Sequence, residues 1–236
     1  IIPIKVKVMD FNKDFLLLQI NDALFPIGGY SHSFGLETYI QKNIVTNGKK
    51  AKEYILSRIN NSIKYTELLG IRLAYNEAEK ENIEGLLNID EILTASKIPS
   101  EIRTASLKMG SRFVKTIKNC QSYFVTDIFN EYLAQAENIH HITAYAVVCA
   151  SAKIPLNRAL EGFLFAQCSG MVTNCVKTVP LSQSQGQKIL SELFEVMGNV
   201  ISDVLVADEE DFCASCPAFD IRSMEHQELY SRLYMS

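Results

Sequence analysis

The 236-residue sequence lacks any stretch rich in proline, glycine or serine and any long block of like charge, so nothing divides it into several domains. It has no apolar run near the roughly 20 residues that cross a bilayer, which predicts no membrane span. Acidic residues number 27, against 23 lysines and arginines that are scattered singly or in pairs rather than gathered into a stripe. Nucleic acid is therefore not an expected partner.

We expect no signal peptide either. Residues 1–10 alternate apolar side chains with lysines, and the three leucines at 16–18 are too few for the core of a signal peptide. Of the six cysteines, Cys120, Cys149, Cys168 and Cys175 fall in helix-like segments, where a free thiol packs as a small hydrophobe. We therefore expect reduced cysteines and a cytoplasmic location.

Apolar residues recur at three- and four-residue intervals along most of the chain, which is typical of amphipathic helices. The spacing predicts one long helix or two abutting helices over 48–80, helices over 100–117, 122–138 and 141–153, one capped by Asn157 that ends before Pro180, and one from Ser182 to residue 205. Only residues 4–8 alternate as a short strand would. The sequence thus predicts an all-α protein with a single globular, bundle-like domain at 14–207, an N-terminal arm at 1–13 and a C-terminal docking tail at 208–236.

The sharpest local feature is the segment 26–37, PIGGYSHSFGLE. It lacks the Lys and Ser/Thr that follow the last glycine of a phosphate-binding loop, and no strand precedes it. Ser31, Ser33, His32 and Glu37 are residue types of hydrolases, but no strand-turn-helix elbow surrounds them. We interpret the segment as a tight turn between helices, with Ser31 or Ser33 as the helix cap, that also serves as a contact surface. No complete catalytic site is present.

Two groups of residues resemble metal ligands only weakly. Cys213 and Cys216 have ligand spacing, but only His226 follows them where a structural zinc site usually has a second pair. Two exposed cysteines in an acidic tail are more often incidental. His140 and His141 cannot both face one side of a helix, so at most one is expected to point inward, and a helix-start role is favoured over a ligand role.

Four blocks of sequence, in this order and spacing, resemble the UreF family of urease accessory proteins. They are LLLQINDALFPIGGYSHSFGLETY at 16–39, EIRTASLKMGSRFVKTI at 101–117, HHITAYAVVCASAKIPL with VKTVPLSQSQGQ within 140–187, and SMEHQELYSRLYMS at 223–236. The first block is the most diagnostic, and together the blocks cover most of the chain.

The resemblance implies an all-α fold, a homodimer and no catalysis by the chain itself. It further implies a scaffold that bridges the accessory protein UreD, also called UreH, and the GTPase UreG during GTP-dependent nickel delivery to apo-urease, with nickel in transit and no resident cofactor. Two alternatives stay open. In the first, the chain alters GTP hydrolysis by UreG. In the second, it carries nickel through the weak candidates Cys213, Cys216 and His226 or through the His140–His141 pair.

By position in the family motifs, the resemblance implies partner contacts for seven residues: Tyr30, His32, Glu37, Lys177, Gln183, Tyr230 and Arg232. Lys177 also falls at a predicted helix end, where a cation complements the helix dipole. Arg232 is the candidate anchor, because a guanidinium can make bidentate contacts. The tail departs from the family pattern at Glu225 and Met235, where the family usually has arginines, so we expect a partner surface that has co-varied.

Overall fold

The structure, a computed structural model, describes residues 4–120 and 126–235, with side chains from residue 12 onward apart from that of Tyr30. The described residues form helices and contain no strand, which confirms the all-α prediction. In chain order the helices are α1 (Ile4–Ile20), α2 (Leu36–Gln41), α3 (Gly48–Arg58), α4 (Leu69–Glu79), α5 (Ile83–Ser96), α6 (Ser100–Cys120), α7 (Asp127–Gln135), α8 (His141–Ser151), α9 (Leu156–Thr178), α10 (Gln183–Glu192), α11 (Phe194–Val206) and α12 (Pro217–Glu225). None of these helices is both long and apolar enough to cross a membrane.

Helix α8 lies at the centre of the core, and all of residues 141–150 are buried. Helices α4 and α6 both pack against it. The approach of α6 is close at Gly110, where a β-carbon would lie 2.0 Å from the carbonyl oxygen of Ile139, just before α8. The run of small and apolar residues at 141–153 predicts a buried helix, and the structure confirms this for residues 141–150.

Both histidines at the start of α8 are buried, so the expectation that at most one points inward is wrong. They lie on different sides of a helix that is surrounded by protein. The His140 ring nitrogens lie 2.8 Å from the hydroxyl oxygens of Thr94 and Ser106, and burial lowers the pKa of His140 to about 3. The His141 ring packs edge-on against Phe113, and burial lowers its pKa to about 4.

A buried carboxyl group links α5 to α7 and α8. Asp90 accepts hydrogen bonds from the hydroxyls of Tyr132 and Thr143, at 2.5 and 2.6 Å, and from the backbone N–H of His140 at 3.3 Å. Burial outweighs these hydrogen bonds and raises the pKa of Asp90 to about 6. This network joins three helices through one side chain.

The prediction of one long helix or two abutting helices over 48–80 is confirmed, but the middle of this stretch is not α-helical. Residues Ile59–Leu68 form a π-helical segment that continues α3 and leads directly into α4. Such wide turns are rare and usually short. The apolar positions Ile59, Ile63 and Leu68 are buried, so the buried face of the helix continues through the segment.

Several finer expectations are wrong. Residues 4–8 belong to α1 rather than to a strand. Pro155, not Asn157, precedes the first residue of α9. The helix predicted from Ser182 to 205 breaks at Leu193 into α10 and α11, although Ser182 does cap α10, in a capping box with Gln185.

Two further expectations are confirmed only in part. Cys120 is exposed at the end of α6, whereas Cys149, Cys168 and Cys175 are buried thiols, as predicted. The helix expected over 122–138 is present as α7, and its predicted beginning at 122–125 lies outside the described residues.

Candidate partner-binding surface

The turn at 26–37 links α1 to α2 and depends on two glycines in the left-handed region. Gly28 has φ 83° and Gly35 has φ 86°, a conformation that other residues rarely adopt. Both glycines also lie against other parts of the chain. A β-carbon at Gly28 would lie 2.1 Å from Nη1 of Arg112, and one at Gly35 would lie 2.8 Å from Oγ of Ser223. Side chains at either position would push these neighbours away.

The serines of the turn have separate roles. The hydroxyl of Ser31 donates to the carbonyl oxygen of Gly28 at 2.7 Å and closes the turn. The hydroxyl of Ser33 accepts from the backbone N–H of Glu37 at 3.4 Å. Ser33 therefore satisfies a backbone donor at the start of α2, although Gly35 is the residue that directly precedes the helix.

Glu37, in the first turn of α2, is buried and bonds to the chain's own tail. Its Oε1 accepts from the backbone N–H of Leu233 at 2.7 Å. Its Oε2 lies 3.2 Å from the backbone nitrogen of Tyr234 and 3.1 Å from Nε2 of His226. The residue that the resemblance assigns to partner contact therefore ties the turn to the C-terminal tail.

His226 is fully buried between two carboxylates. Its Nε2 faces Glu37, and its Nδ1 lies 3.0 Å from Oε2 of Glu101 at the start of α6. Both ring nitrogens therefore lie against carboxylate oxygens. Nη1 of Arg232 lies 3.0 Å from Oε1 of Glu101. We call these four residues, Glu37, Glu101, His226 and Arg232, the tail anchor.

Further hydrogen bonds hold the tail along the turn, α2 and α6. The backbone N–H of Met235 donates to the carbonyl oxygen of Ser31 at 2.8 Å. The side-chain amide of Gln41 donates to the carbonyl oxygen of Ser231 at 2.8 Å, and that of Gln227 donates to the hydroxyl of Ser100 at 3.0 Å. The predicted docking tail thus packs against its own chain, and its function towards a partner stays a prediction.

The departure from the family pattern at Glu225 has a local explanation. Its carboxylate pairs with Lys42 at 3.1 Å and with Arg222 at 2.5 Å. These ion pairs lower the pKa of Glu225. The Glu225 carboxylate is therefore paired with two cations of its own chain. An arginine at this position would be repelled by the same two cations.

The anchored tail leaves apolar side chains in solvent. Tyr230 is fully exposed and Leu233 is 67% exposed, although the neighbouring Tyr234 is buried. The other exposed apolar residues of α12 and the tail are Ile221, Met224 and Met235. An apolar group of this kind, next to charged groups, is typical of a protein-binding surface. We call residues 26–37 together with 217–235 the turn–tail surface.

Of the remaining predicted contact residues, Tyr30 and His32 belong to the turn, whereas Lys177 and Gln183 lie on α9 and α10. His32 is buried, and its backbone carbonyl accepts from the side-chain amide of Asn174 on α9 at 3.2 Å. Lys177 is exposed in the last turn of α9, where its charge complements the helix dipole. Gln183 is exposed at the first position of α10. Tyr30 lies within the turn, and its side chain is outside the described part of the structure.

The weak metal candidates do not come together. Cys213 and Cys216 line a cavity of about 240 Å³ and are half-buried rather than exposed. Burial raises the pKa of both thiols, which disfavours the thiolate that binds metal. His226 uses both ring nitrogens in the tail anchor. Within residues 4–120 and 126–235, no three His, Cys, Asp or Glu side chains form a group that could hold a metal ion.

Sequence reasoning missed Glu101 as a site residue and took His226 for a ligand candidate. Glu101 and Glu37, which contact the two ring nitrogens of His226, are 125 and 189 positions away from it in the chain. The available signal was that Glu37, Glu101 and His226 each fall inside a block that resembles the family.

Comparison with known proteins places the chain among relatives of similar length. The family model of UreF matches residues 45–194. A urease accessory protein UreF of Bacillus sp. (strain TB-90) is 34% identical over 229 residues, which cover 95% of this chain and 100% of that protein. The urease accessory protein UreF of Ureaplasma parvum serovar 3 is 32% identical over 97% of this chain and 100% of its own length. That of Actinobacillus pleuropneumoniae serotype 5b is 33% identical over 93% of this chain and 97% of its own length. The chain therefore belongs to the UreF family.

Proposed function

We propose that the chain serves urease maturation as a scaffold without catalysis of its own. It bridges UreD/UreH and the GTPase UreG during GTP-dependent delivery of nickel to apo-urease, and it acts as a homodimer. The relatives that share its full length are named urease accessory proteins. The observation that carries the proposal is the turn–tail surface, in which the contacts of the buried His226 with Glu37 and Glu101 fix distant segments beside exposed apolar side chains.

The surface is suited to contact rather than to chemistry. Glu37 and His226, which have the residue types of an acid–base pair, are buried and fully occupied by hydrogen bonds within the chain. Tyr230 and Leu233, in contrast, are presented to solvent. Large exposed aromatic and apolar residues next to a rigid support are the usual anchors of protein interfaces.

The proposal is tested by expressing the urease operon with and without this gene and measuring urease activity and nickel content. Loss of both without the gene is the expected result, and normal urease activity in its absence would refute a role in maturation. Purified chain mixed with UreD/UreH and UreG in size-exclusion chromatography then tests bridging. A complex of all three that forms only when the chain is present is expected.

The turn–tail surface is tested by Tyr230→Ala combined with Leu233→Ala. Removal of these two exposed side chains should weaken partner binding by about 2 kcal/mol or more, that is at least roughly 30-fold. Leu205→Ala combined with Val206→Ala is the matched control, because these apolar residues are exposed at the end of α11. Equal loss of complex formation in both variants would contradict the assignment of this surface.

Two measurements distinguish the proposed scaffold from the two alternatives. GTP hydrolysis by UreG, measured with and without the chain, distinguishes a scaffold from a regulator of hydrolysis. Direct nickel carriage has little support, because Cys213 and Cys216 have raised pKa values and His226 is held by Glu37 and Glu101. Equilibrium dialysis against nickel should show no stoichiometric binding by the wild-type chain.

A further inference from the structure

Helix α6 carries a row of cations that is invisible in the linear sequence. After Glu101, the helix contains no further acidic residue. Lys108, Arg112, Lys115 and Lys118 follow at intervals of four, three and three residues, which places them on one side of the helix. All four are exposed. At a rise of 1.5 Å per residue, the row is about 15 Å long. We call these four residues the α6 basic stripe.

The lysines of the stripe differ from most other lysines of the chain in having no acidic partner. No Asp or Glu oxygen of the described residues lies within 4.0 Å of Lys108, Lys115 or Lys118. In contrast, an acidic partner is found for Lys42, Lys50, Lys52, Lys64, Lys80, Lys97, Lys153 and Lys188. This contrast occurs in a chain with a net charge of −4. Acidic groups are therefore plentiful, yet none among the described side chains pairs with a lysine of the stripe.

The stripe adjoins the turn–tail surface. Nη1 of Arg112 lies 3.4 Å from the carbonyl oxygen of Ile27 and directly over Gly28. The pKa of His32 is lowered by burial first, and then by the charges of Arg112 and Lys108. The positive potential of the stripe thus reaches into the turn, and the two surfaces are continuous.

Like charges at intervals of three and four residues repel one another along a helix. A surface that presents carboxylates would remove this repulsion and gain attraction. We propose that the α6 basic stripe is a docking site for a carboxylate-rich face of a partner protein, which binds it together with the turn–tail surface. The inference rests on the proposed function and extends the partner contact to a helix outside the turn and the tail.

A protein face fits the stripe better than a nucleic acid does. Four cations over about 15 Å match a compact acidic patch, whereas a long polyanion would also meet the acidic remainder of the chain, which carries 27 Asp and Glu. A folded protein partner would also bury the apolar side chains that are exposed on the turn–tail surface.

The test reverses the charge of three lysines, in Lys108→Glu, Lys115→Glu and Lys118→Glu together. Arg112 is left unchanged because it packs on the turn. The control is Lys49→Glu, Lys50→Glu and Lys188→Glu, which reverses three exposed lysines on α3 and α10. Two of these lysines pair with Glu53 and Glu192, and exposed ion pairs of this kind contribute only about 0–1 kcal/mol to stability. A glutamine variant at positions 108, 115 and 118 separates loss of attraction from added repulsion. Unchanged circular dichroism melting curves confirm that all variants fold.

Binding of each variant to purified UreD/UreH, UreG and apo-urease from the same operon is measured at low and high salt. We expect the stripe variant to bind at least one partner ten or more times more weakly than wild type, the glutamine variant to be intermediate, and the control to stay within about threefold. The wild-type affinity for that partner should fall with salt, and this dependence should shrink in the stripe variant.

Three results would overturn the inference in different ways. Wild-type affinity of the stripe variant for every partner would reject the docking site while leaving the proposed function intact. Failure of the wild-type chain to bind any of the three proteins would reject the proposed function itself, and the inference with it. A single-stranded DNA 20-mer serves as a third arm. Tighter binding to this DNA than to the proteins, lost in the stripe variant, would identify a polyanion site instead.

Discussion

Removal of the Glu37 carboxylate should release the C-terminal tail while the helical domain stays folded. Glu37→Ala deletes the acceptor of two backbone N–H groups, those of Leu233 and Tyr234, and of the His226 ring. His226 would then remain buried with only Glu101 as its acidic partner. The core around α8 does not depend on this carboxylate, because it is built from other helices.

The size of the effect follows from the burial of the group. Glu37→Ala leaves two backbone N–H groups and the His226 ring without an acceptor, and at about 1–3 kcal/mol for each unsatisfied buried group the total is about 3–5 kcal/mol. At about 1.4 kcal/mol for each factor of ten, the ratio of docked to released tail should fall by roughly two to three and a half orders of magnitude. Glu37→Gln, which keeps one acceptor oxygen, should give a smaller loss.

Amide hydrogen exchange measures this ratio residue by residue. The N–H groups of Leu233 and Tyr234 should lose protection in Glu37→Ala, whereas amides of α8 should exchange as in the wild type. Glu84→Ala is the matched control, because Glu84 is also an acid in the first turn of a helix but is exposed. Unchanged protection at Leu233 and Tyr234, or equal loss in the control, would refute the assignment of Glu37 as the residue that holds the tail.

Three further predictions concern stability. Because burial lowers the pKa of His141 to about 4, below the ordinary 6.5, its neutral ring stabilises the fold above pH 6.5, and this contribution is lost as pH falls, by about 2 kcal/mol at pH 5. His141→Phe should therefore flatten the pH dependence of urea unfolding between pH 6.5 and 4, and an unchanged slope would contradict the burial argument. The pKa of Asp90 is raised to about 6, so its stabilising contribution is complete below pH 3.8 and disappears as pH rises through 6, a change of up to about 3 kcal/mol. Asp90→Asn should lack this change in urea unfolding at pH 4 and pH 7.5, and a change as large as in the wild type would exclude the carboxyl as its source. Gly110→Ala would place a β-carbon 2.0 Å from the carbonyl oxygen of Ile139 and should destabilise the fold by about 3 kcal/mol, whereas Gly198→Ala meets nothing within 4 Å inside α11 and should stabilise it by up to about 1 kcal/mol. Thermal melts of the two glycine variants should shift in opposite directions, and shifts in the same direction would show that the packing at Gly110 has been misjudged.

Periodicity predicted the helices well, since local spacing decides which residues of a helix face the core. It was misleading at residues 4–8, where lysines alternate with apolar residues over too short a stretch to distinguish a strand from the first turns of α1. It also could not show which neighbouring helices surround the start of α8, and for this reason the inward position of both His140 and His141 was missed. Local patterns therefore predict the elements but not their neighbours.

The candidate surface was harder to predict, because its key contacts join residues that are distant in the sequence. Resemblance pointed to Glu37 and Arg232 separately, but nothing in the sequence indicates that Glu101 and His226 lie between them. The α6 basic stripe was missed for a related reason. Its members look scattered in linear order, and only the turn of the helix brings them to one side.

The tail anchor also has a consequence for the order of events during synthesis. Glu37 and Leu233 are 196 positions apart, so the carboxylate emerges from the ribosome long before its partners exist. Chains fold from the N-terminus as they are made, and the helical domain can assemble while the turn is still without its tail. The turn–tail surface therefore forms last, and only a chain translated through residues 226–235 presents it. A nascent or prematurely stopped chain would thus not compete with finished molecules for the same partner.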